Sequence, residues 1–371
     1  MTEPATDRPE PDPVDWALAE RVARRFAGRE PLATSYLTGS LSPDFDEVTT
    51  EAEELVAAHT GLRAPGPAHA EVLDRRGWVS ANVASMQRML APLTARIGER
   101  MAKSPIAPVG RRIAGTEMGV LLGYLAQRVL GQYDLLVPDG DGDSGDRSDP
   151  ADGDAVYYVG PNVLVLEKRY AFPPRDFRRW IALHEVTHRA QFTGVPWLKG
   201  HFLSLVERSL TMVDPDPRRL VQAMVRAADE IRRGRNPLDE GGLVGLLASP
   251  EQRGVLAEVQ SLMSLLEGHG NAVMNELGRE HVGGQARMAR ILQARRRARG
   301  LAGVLHKLLG IDSKMRQYEV GEAFVAGVEQ AGGPRAIDAA WRGPESLPTA
   351  EELTHPEAWL TRVGAGVASS Q

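Results

Sequence analysis

The stretch Arg175–Phe192, RDFRRWIALHEVTHRAQF, decides how this chain is read. It follows Pro173 and Pro174, whose fixed φ suits the first turn of a helix, and Asp176 places an acid there. Gly194 and Pro196 supply the stop, and between these signals apolar residues recur at helical spacing, so one long helix is predicted. On such a helix His184 and His188 project from one face, close enough for both imidazoles to reach one ion. Glu185 falls on the flank of that face. The neighbours Ile181, Ala182, Leu183, Val186 and Ala190 are apolar, so these polar groups are semi-buried and need partners. A solvated pair on an exposed helix, the bland alternative, would have polar neighbours instead. The pattern therefore predicts one bound Zn²⁺ with His184 and His188 as ligands and Glu185 as general base. Zinc brings the pKa of a bound water to about 7, and a carboxylate takes the proton as the oxygen attacks a polarised carbonyl.

A catalytic zinc normally has three protein ligands and one open position. The chain contains no cysteine, which excludes disulfides and thiolate ligands and leaves His, Asp or Glu for the third place. The long metalloprotease pattern that continues the motif with Gly and then His is not followed: those places hold Gln191 and Gly194. A second helix is the remaining source. The run VLAEVQSLMSLLEGHGNAVMNELG from Val255 is uncharged between Val259 and Leu266, then presents Glu267 and His269 beside Gly268 and Gly270. An ionised Glu267 in an apolar helix is costly without a partner, which makes it the preferred third ligand. His269 is the alternative, and otherwise serves behind the ligands or on the substrate. His201, next to Gly200, reads as an ordinary loop residue.

Outward from these two helices, Val14–Ala27, Asp44–His59, Trp78–Ile97 and Gly115–Gly131 read as amphipathic or buried helices, making a helical N-terminal part over 14–138. Further helices are expected at Pro217–Arg233, Pro250–Leu277, Gly284–Leu309 and Lys314–Gly327. The segments AVYYV and VLVLE, around Gly160, Pro161 and Asn162, are the one β-like region and read as a short hairpin or a single bent strand. Val156–Val163 could then serve as an edge strand that aligns an extended peptide. The fold class expected is mainly α with a minor β hairpin or strand. The organisation expected is a tail over 1–13, one domain over 14–363 whose metal-site part covers 155–363, and a tail over 364–371.

Length and composition agree with a globular chain: 371 residues, 42% hydrophobic and 25% charged. The formal charge of -5 comes from Asp139–Asp154, with seven Asp against one Arg, which reads as a mobile acidic loop and leaves the rest near +1. Its spacing does not fit a calcium loop. No global field favours nucleic acid, and the basic cluster Arg295–Arg299 reads as a solvated helix end. No membrane-spanning run or secretory signal is legible, so a cytoplasmic location with no membrane partner is expected.

The chain also resembles the zincin-like hydrolases and zinc-dependent metalloproteases of actinobacteria, including a branch associated with coenzyme F420 biosynthesis. The resemblance spans nearly the whole chain. It rests on HEVTHRAQF at 184–192, RNPLDE from Arg235, SPEQRGVL from Ser249, SLMSLLEGHGNAVMN from Ser261, KMRQYEVGEAFV from Lys314 and LPTAEELTHPEAWLTRV from Leu347. It implies a mostly helical, zincin-like metallohydrolase fold with His184, His188 and Glu267 as ligands and Glu185 as base. It brings no substrate, and the acidic stretch looks like an insertion. Arg316 and Tyr318, near the C-terminus, could stabilise an oxyanion opposite the metal, although Met315, Tyr318, Phe324 and Val325 equally suit a packed helix face.

Three functions fit. The leading one is a zinc peptidase acting on a peptide or a small amide. The others are a hydrolase of a small non-peptide amide or ester, and a non-catalytic metal-binding protein supporting coenzyme F420 metabolism. An open position on the metal beside Glu185 separates catalysis from a closed structural site.

Overall fold

The computed structural model describes residues 12–30, 32, 34–102, 107–135, 154–211, 250–297 and 311–368. The helix expected at Pro217–Arg233, the RNPLDE motif and most of the acidic loop fall outside the described residues. Packing divides the chain into two compact units, Met1–Glu47 with Ala68–Phe172, and Val48–Pro67 with Pro173–Gln371. Among the described residues no helix is long and apolar enough to cross a membrane.

The first unit is mostly helical around a small sheet. Helix α1 (Trp16–Phe26) begins at Asp15, whose carboxylate accepts from the Leu18 N–H at 2.9 Å and so satisfies one of the free donors of the first turn. A 3₁₀ turn (Tyr36–Ser40) leads into α2 (Leu41–Thr60), within which the unit boundary falls. Then come β1 (His69–Leu73), α3 (Arg75–Ala102), α4 (Ala107–Ala126), β2 (Gly131–Tyr133), β3 (Ala155–Val159) and α5 (Gly160–Tyr170). The core gathers Trp16, Ala19 and Ala23 of α1, Trp78 and Val79 of α3, Leu122 and Ala126 of α4, and Val159. Helices α1 and α4 come together along Gly115, Gly119 and Gly123, one per turn of α4. A Cβ on Gly119 would stand 2.6 Å from the Ala19 carbonyl oxygen and 2.7 Å from Val22 Cβ. These three glycines thus set how near the backbones can lie.

A buried polar knot closes the same unit. The Arg75 guanidinium donates to Asn162 Oδ1 at 2.8 Å and to the Ala27 carbonyl, while Asn162 Nδ2 donates to the carbonyls of Ala126 and Val129 at 2.8 and 2.7 Å. One asparagine therefore ties the start of α5 to the end of α4, and through Arg75 to the end of α1. Both side chains are buried and their bonded atoms are matched, as burial requires.

Two expectations for this region are corrected. The sheet has the order β1-β3-β2, with β1 parallel and β2 antiparallel to β3. AVYYV is therefore the central strand, every residue of it buried, and its backbone is spent on neighbours at both sides. It is not an edge on which a peptide could align. VLVLE is not a strand either but the body of α5: Pro161 sits in the first helical turn and Ala171 closes the helix in a left-handed conformation at φ 48°. Four consecutive apolar residues carry no period, and here the proline-led helix start prevailed over β propensity.

The second unit holds α6 (Pro174–Gly194), α7 (Leu198–Thr211), α8 (Pro250–His281), α9 (Gln285–Arg297), α10 (Ile311–Gly332) and α11 (Pro356–Ala368). The helix α6 starts at Pro174 with Asp176 in its first turn, as its signals predict. Arginines hold it against residues 48–67: Arg179 donates to Glu51 at 2.9 Å, and Arg189, 1% exposed, pairs with Glu53 and donates to the Gly66 carbonyl at 2.8 Å. Across α8 and α10 the backbones meet at Gly268 and Gly321, where a Cβ on either would fall on the other helix's backbone. Leu265, Phe324, Val325, Val328 and Trp359 fill the core beside that crossing, and Val195, Leu198, Leu262 and Leu266 fill another beside α7.

Gly119→Ala is expected to lower stability by about 1–3 kcal/mol through overpacking. Gly110→Ala, at an exposed place on the same helix with nothing within 4 Å of the new carbon, should be neutral or stabilising by up to about 1 kcal/mol from helix propensity. Denaturant midpoints of the two variants check the contrast.

Candidate metal centre

Two helices of the second unit bring the site together. Along α6 the face carrying His184 and His188 looks onto α8, where Glu267 stands one turn before Gly270. The Nε2 atoms of His184 and His188 are 3.1 Å apart, and Glu267 Oε2 lies 3.6 Å from the first and 3.5 Å from the second. A tetrahedral Zn²⁺ bonded at about 2.0–2.1 Å spaces its ligands about 3.3–3.4 Å apart, so the triangle has the size of one face of such a site. Among the described residues this is the one group of three His, Asp or Glu donors so arranged.

The donor set also asks for a cation. At 3.1 Å the two Nε2 atoms cannot both present bare lone pairs to each other, so a hydrogen on one of them or a metal must lie between. Glu267 Oε2 is buried with no hydrogen-bond partner. Burial pushes the Glu267 carboxyl up, but His184 and His188 outweigh it and hold the group well below the usual carboxylate range. Burial pushes His188 down, while Glu267, then Glu185 and Gln191, raise it to about 9. The site thus retains a proton where it holds no metal. The side chains of His184, His188 and Glu267 keep 17, 14 and 13% exposure.

Glu185 is buried, and its charge acts on His188. Thr187, also buried in the motif, returns its hydroxyl to the Leu183 carbonyl at 2.6 Å and is satisfied within the helix. His269 is not in the triangle. Its Nδ1 lies 2.9 Å from Gln191 Nε2 and its ring meets Trp341 edge-on at 5.1 Å. Burial, with the charges of His188 and His59, pushes it down to about 3, so it is neutral. His201, expected in a loop, lies in α7 against Trp197, outside the triangle. Arg316 and Tyr318 belong to α10, but their side chains fall outside what the structure describes.

Two residues that sequence reasoning passed over complete the arrangement. Gln191 Oε1 lies 2.9 Å from His188 Nδ1, and its amide reaches α8. Its place three residues after His188, on the same helical face, was the available signal. A Cβ on Gly270 would stand 3.1 Å from His188 Cε1 and 3.4 Å from His184 Cε1. A side chain there would press both rings by a few tenths of an ångström or more, and nothing in the sequence alone says which rings would occupy that space.

Residues 14–360 match a family described as zincin-like metallopeptidases. No curated protein matches the chain. A crystal structure from Chloroflexus aurantiacus, described as a candidate hydrolase with a novel fold, is similar at 30% sequence identity and a TM-score of 0.68, covering 95% of this chain and 99% of that one.

Gly270→Val is expected to weaken zinc binding about tenfold or more, the scale of other disturbances of ligand orientation, as read by chelator competition. Unchanged affinity contradicts the packing argument. Metal uptake should also release a proton. His188 is raised above its ordinary 6.5, so its proton favours the metal-free fold fully below about pH 6.5 and that contribution fades as pH rises through about 9. Zinc must displace this proton, so its affinity should climb by about tenfold per pH unit up to about pH 9 and then level. Calorimetric titrations across pH 6–9 test this, and a flat profile opposes it.

Proposed function

Because this chain belongs to the zincin-like metallopeptidase family, we propose that it is a zinc-dependent hydrolase of peptidase type, with His184, His188 and Glu267 holding one ion and Glu185 as its general base. The observation that carries the reading is the convergence of these three donors on one point, with a buried carboxylate adjoining. When bound, zinc supplies Lewis acidity, polarising the carbonyl under attack and bringing a water's pKa to about 7. The chain's own groups do the rest. Glu185, fixed on α6 one residue from His184, accepts the proton of the attacking water and delivers it to the departing amine. Its burial limits competing solvent.

Three donors, with no fourth His, Asp or Glu grouped with them among the described residues, favour catalysis over a structural role, since structural zinc sites are closed by four protein ligands. The substrate class is an amide, peptide or small. The resemblance to the branch associated with coenzyme F420 biosynthesis makes small amides worth screening beside peptides, with and without chelator. Glu185→Gln is the decisive variant: zinc content should stay at one per chain while turnover falls about 10²–10⁴-fold, the usual weight of general-base catalysis. Zinc analysis and turnover on the best substrate of the screen provide the check. Full activity with zinc in place would remove Glu185 from the mechanism.

A further inference from the structure

The amide of Gln191 bridges α6 and α8 at the back of His188. Its Nε2 lies 3.1 Å from the Leu266 carbonyl oxygen and 2.9 Å from His269 Nδ1, and its Oε1 lies 2.9 Å from His188 Nδ1. A backbone carbonyl can only accept, so the NH₂ group must face Leu266. With that end fixed, its second hydrogen points to His269, whose Nδ1 must accept. The amide oxygen is then left for His188, whose Nδ1 must carry hydrogen. A neutral His188 with hydrogen on Nδ1 has its lone pair on Nε2, the atom turned toward His184 and Glu267. If the amide were reversed, its oxygen would oppose the Leu266 carbonyl. Its NH₂ would then require a lone pair on His188 Nδ1, placing hydrogen on Nε2 where a metal must bind.

Gln191 is 0% exposed and His269 3%, so each depends on the other and on its protein neighbours for hydrogen bonds. We propose that His269 is a positioning residue for the metal centre: through Gln191 it holds His188 in the tautomer whose Nε2 is free to ligate. This rests on the reading of His184, His188 and Glu267 as zinc ligands. His269 touches no ligand itself; it acts by accepting the hydrogen that would otherwise leave the Gln191 amide half satisfied and free to turn.

The test is a double-mutant cycle on the zinc dissociation constant of the full chain, using Gln191→Ala, His269→Phe and their combination, with His269→Gln as the conservative variant that retains an acceptor. Gln191→Ala should weaken zinc about 10–100-fold, the range for groups that orient metal ligands. His269→Phe should weaken it in the same direction. The double variant should be no worse than Gln191→Ala alone, because His269 has no route to the metal once Gln191 is gone. His269→Gln should bind zinc nearly as wild type does, and it carries the test if the phenylalanine variant does not fold. Losses that add in the double variant, or wild-type affinity in His269→Phe, overturn the positioning role while leaving the ligands untouched. Zinc affinity unaltered by His184→Ala would instead overturn the ligand reading, and this proposal with it.

Discussion

An ionised carboxylate buried in the apolar body of a helix must meet positive charge, and Glu267 meets two imidazoles of a neighbouring helix. That encounter constrains the rest of the second unit. Isolated, the carboxylate would cost several kcal/mol, and two imidazoles with converging lone pairs would repel. Together they form a pocket suited to a cation. Either a proton or a divalent metal satisfies it, which is why His188 is drawn up to about 9 in the metal-free protein.

The packing serves this encounter with glycine at each close approach. On α8, Gly268 lets α10 lie directly against the helix and Gly270 leaves room for the imidazole rings, so the residues flanking His269 are empty for two different neighbours. Helix α6 is held from its other side by Arg179 on Glu51 and by the buried Arg189 on Glu53 and Gly66. The helices that carry the ligands are therefore positioned by backbone contact and charge clamps, and the side chains need little freedom to find one another. Glu185 inherits its place from the same rigidity, since one residue's rotation along α6 separates it from His184.

Much of this was legible in the sequence where local rules and chemistry coincided. Pro174, Asp176 and Gly194 bounded α6 correctly because helix ends are set by proline, acid and glycine chemistry that acts within a turn. Glu267 stood out because a lone acid in an apolar run demands a partner, and the structure brings it beside His184 and His188. What was not legible depended on pairing across the chain. The strands β1 and β2 are short and polar in part, and only their ladder with β3 defines them. VLVLE read as a strand because an apolar run without period leaves the choice to its context. Gln191 was seen only as a departure from a longer protease pattern, since its bonds to Leu266 and His269 join residues far apart in the chain.

X-ray absorption at the zinc edge of the metal-loaded protein most directly tests whether these donors hold an ion. One zinc per chain is expected, surrounded by nitrogen and oxygen donors at about 2.0–2.2 Å, with the scattering of two imidazoles, one of which disappears in His188→Ala. Zinc that binds without imidazole scattering, or an environment unchanged by that substitution, would contradict this expectation.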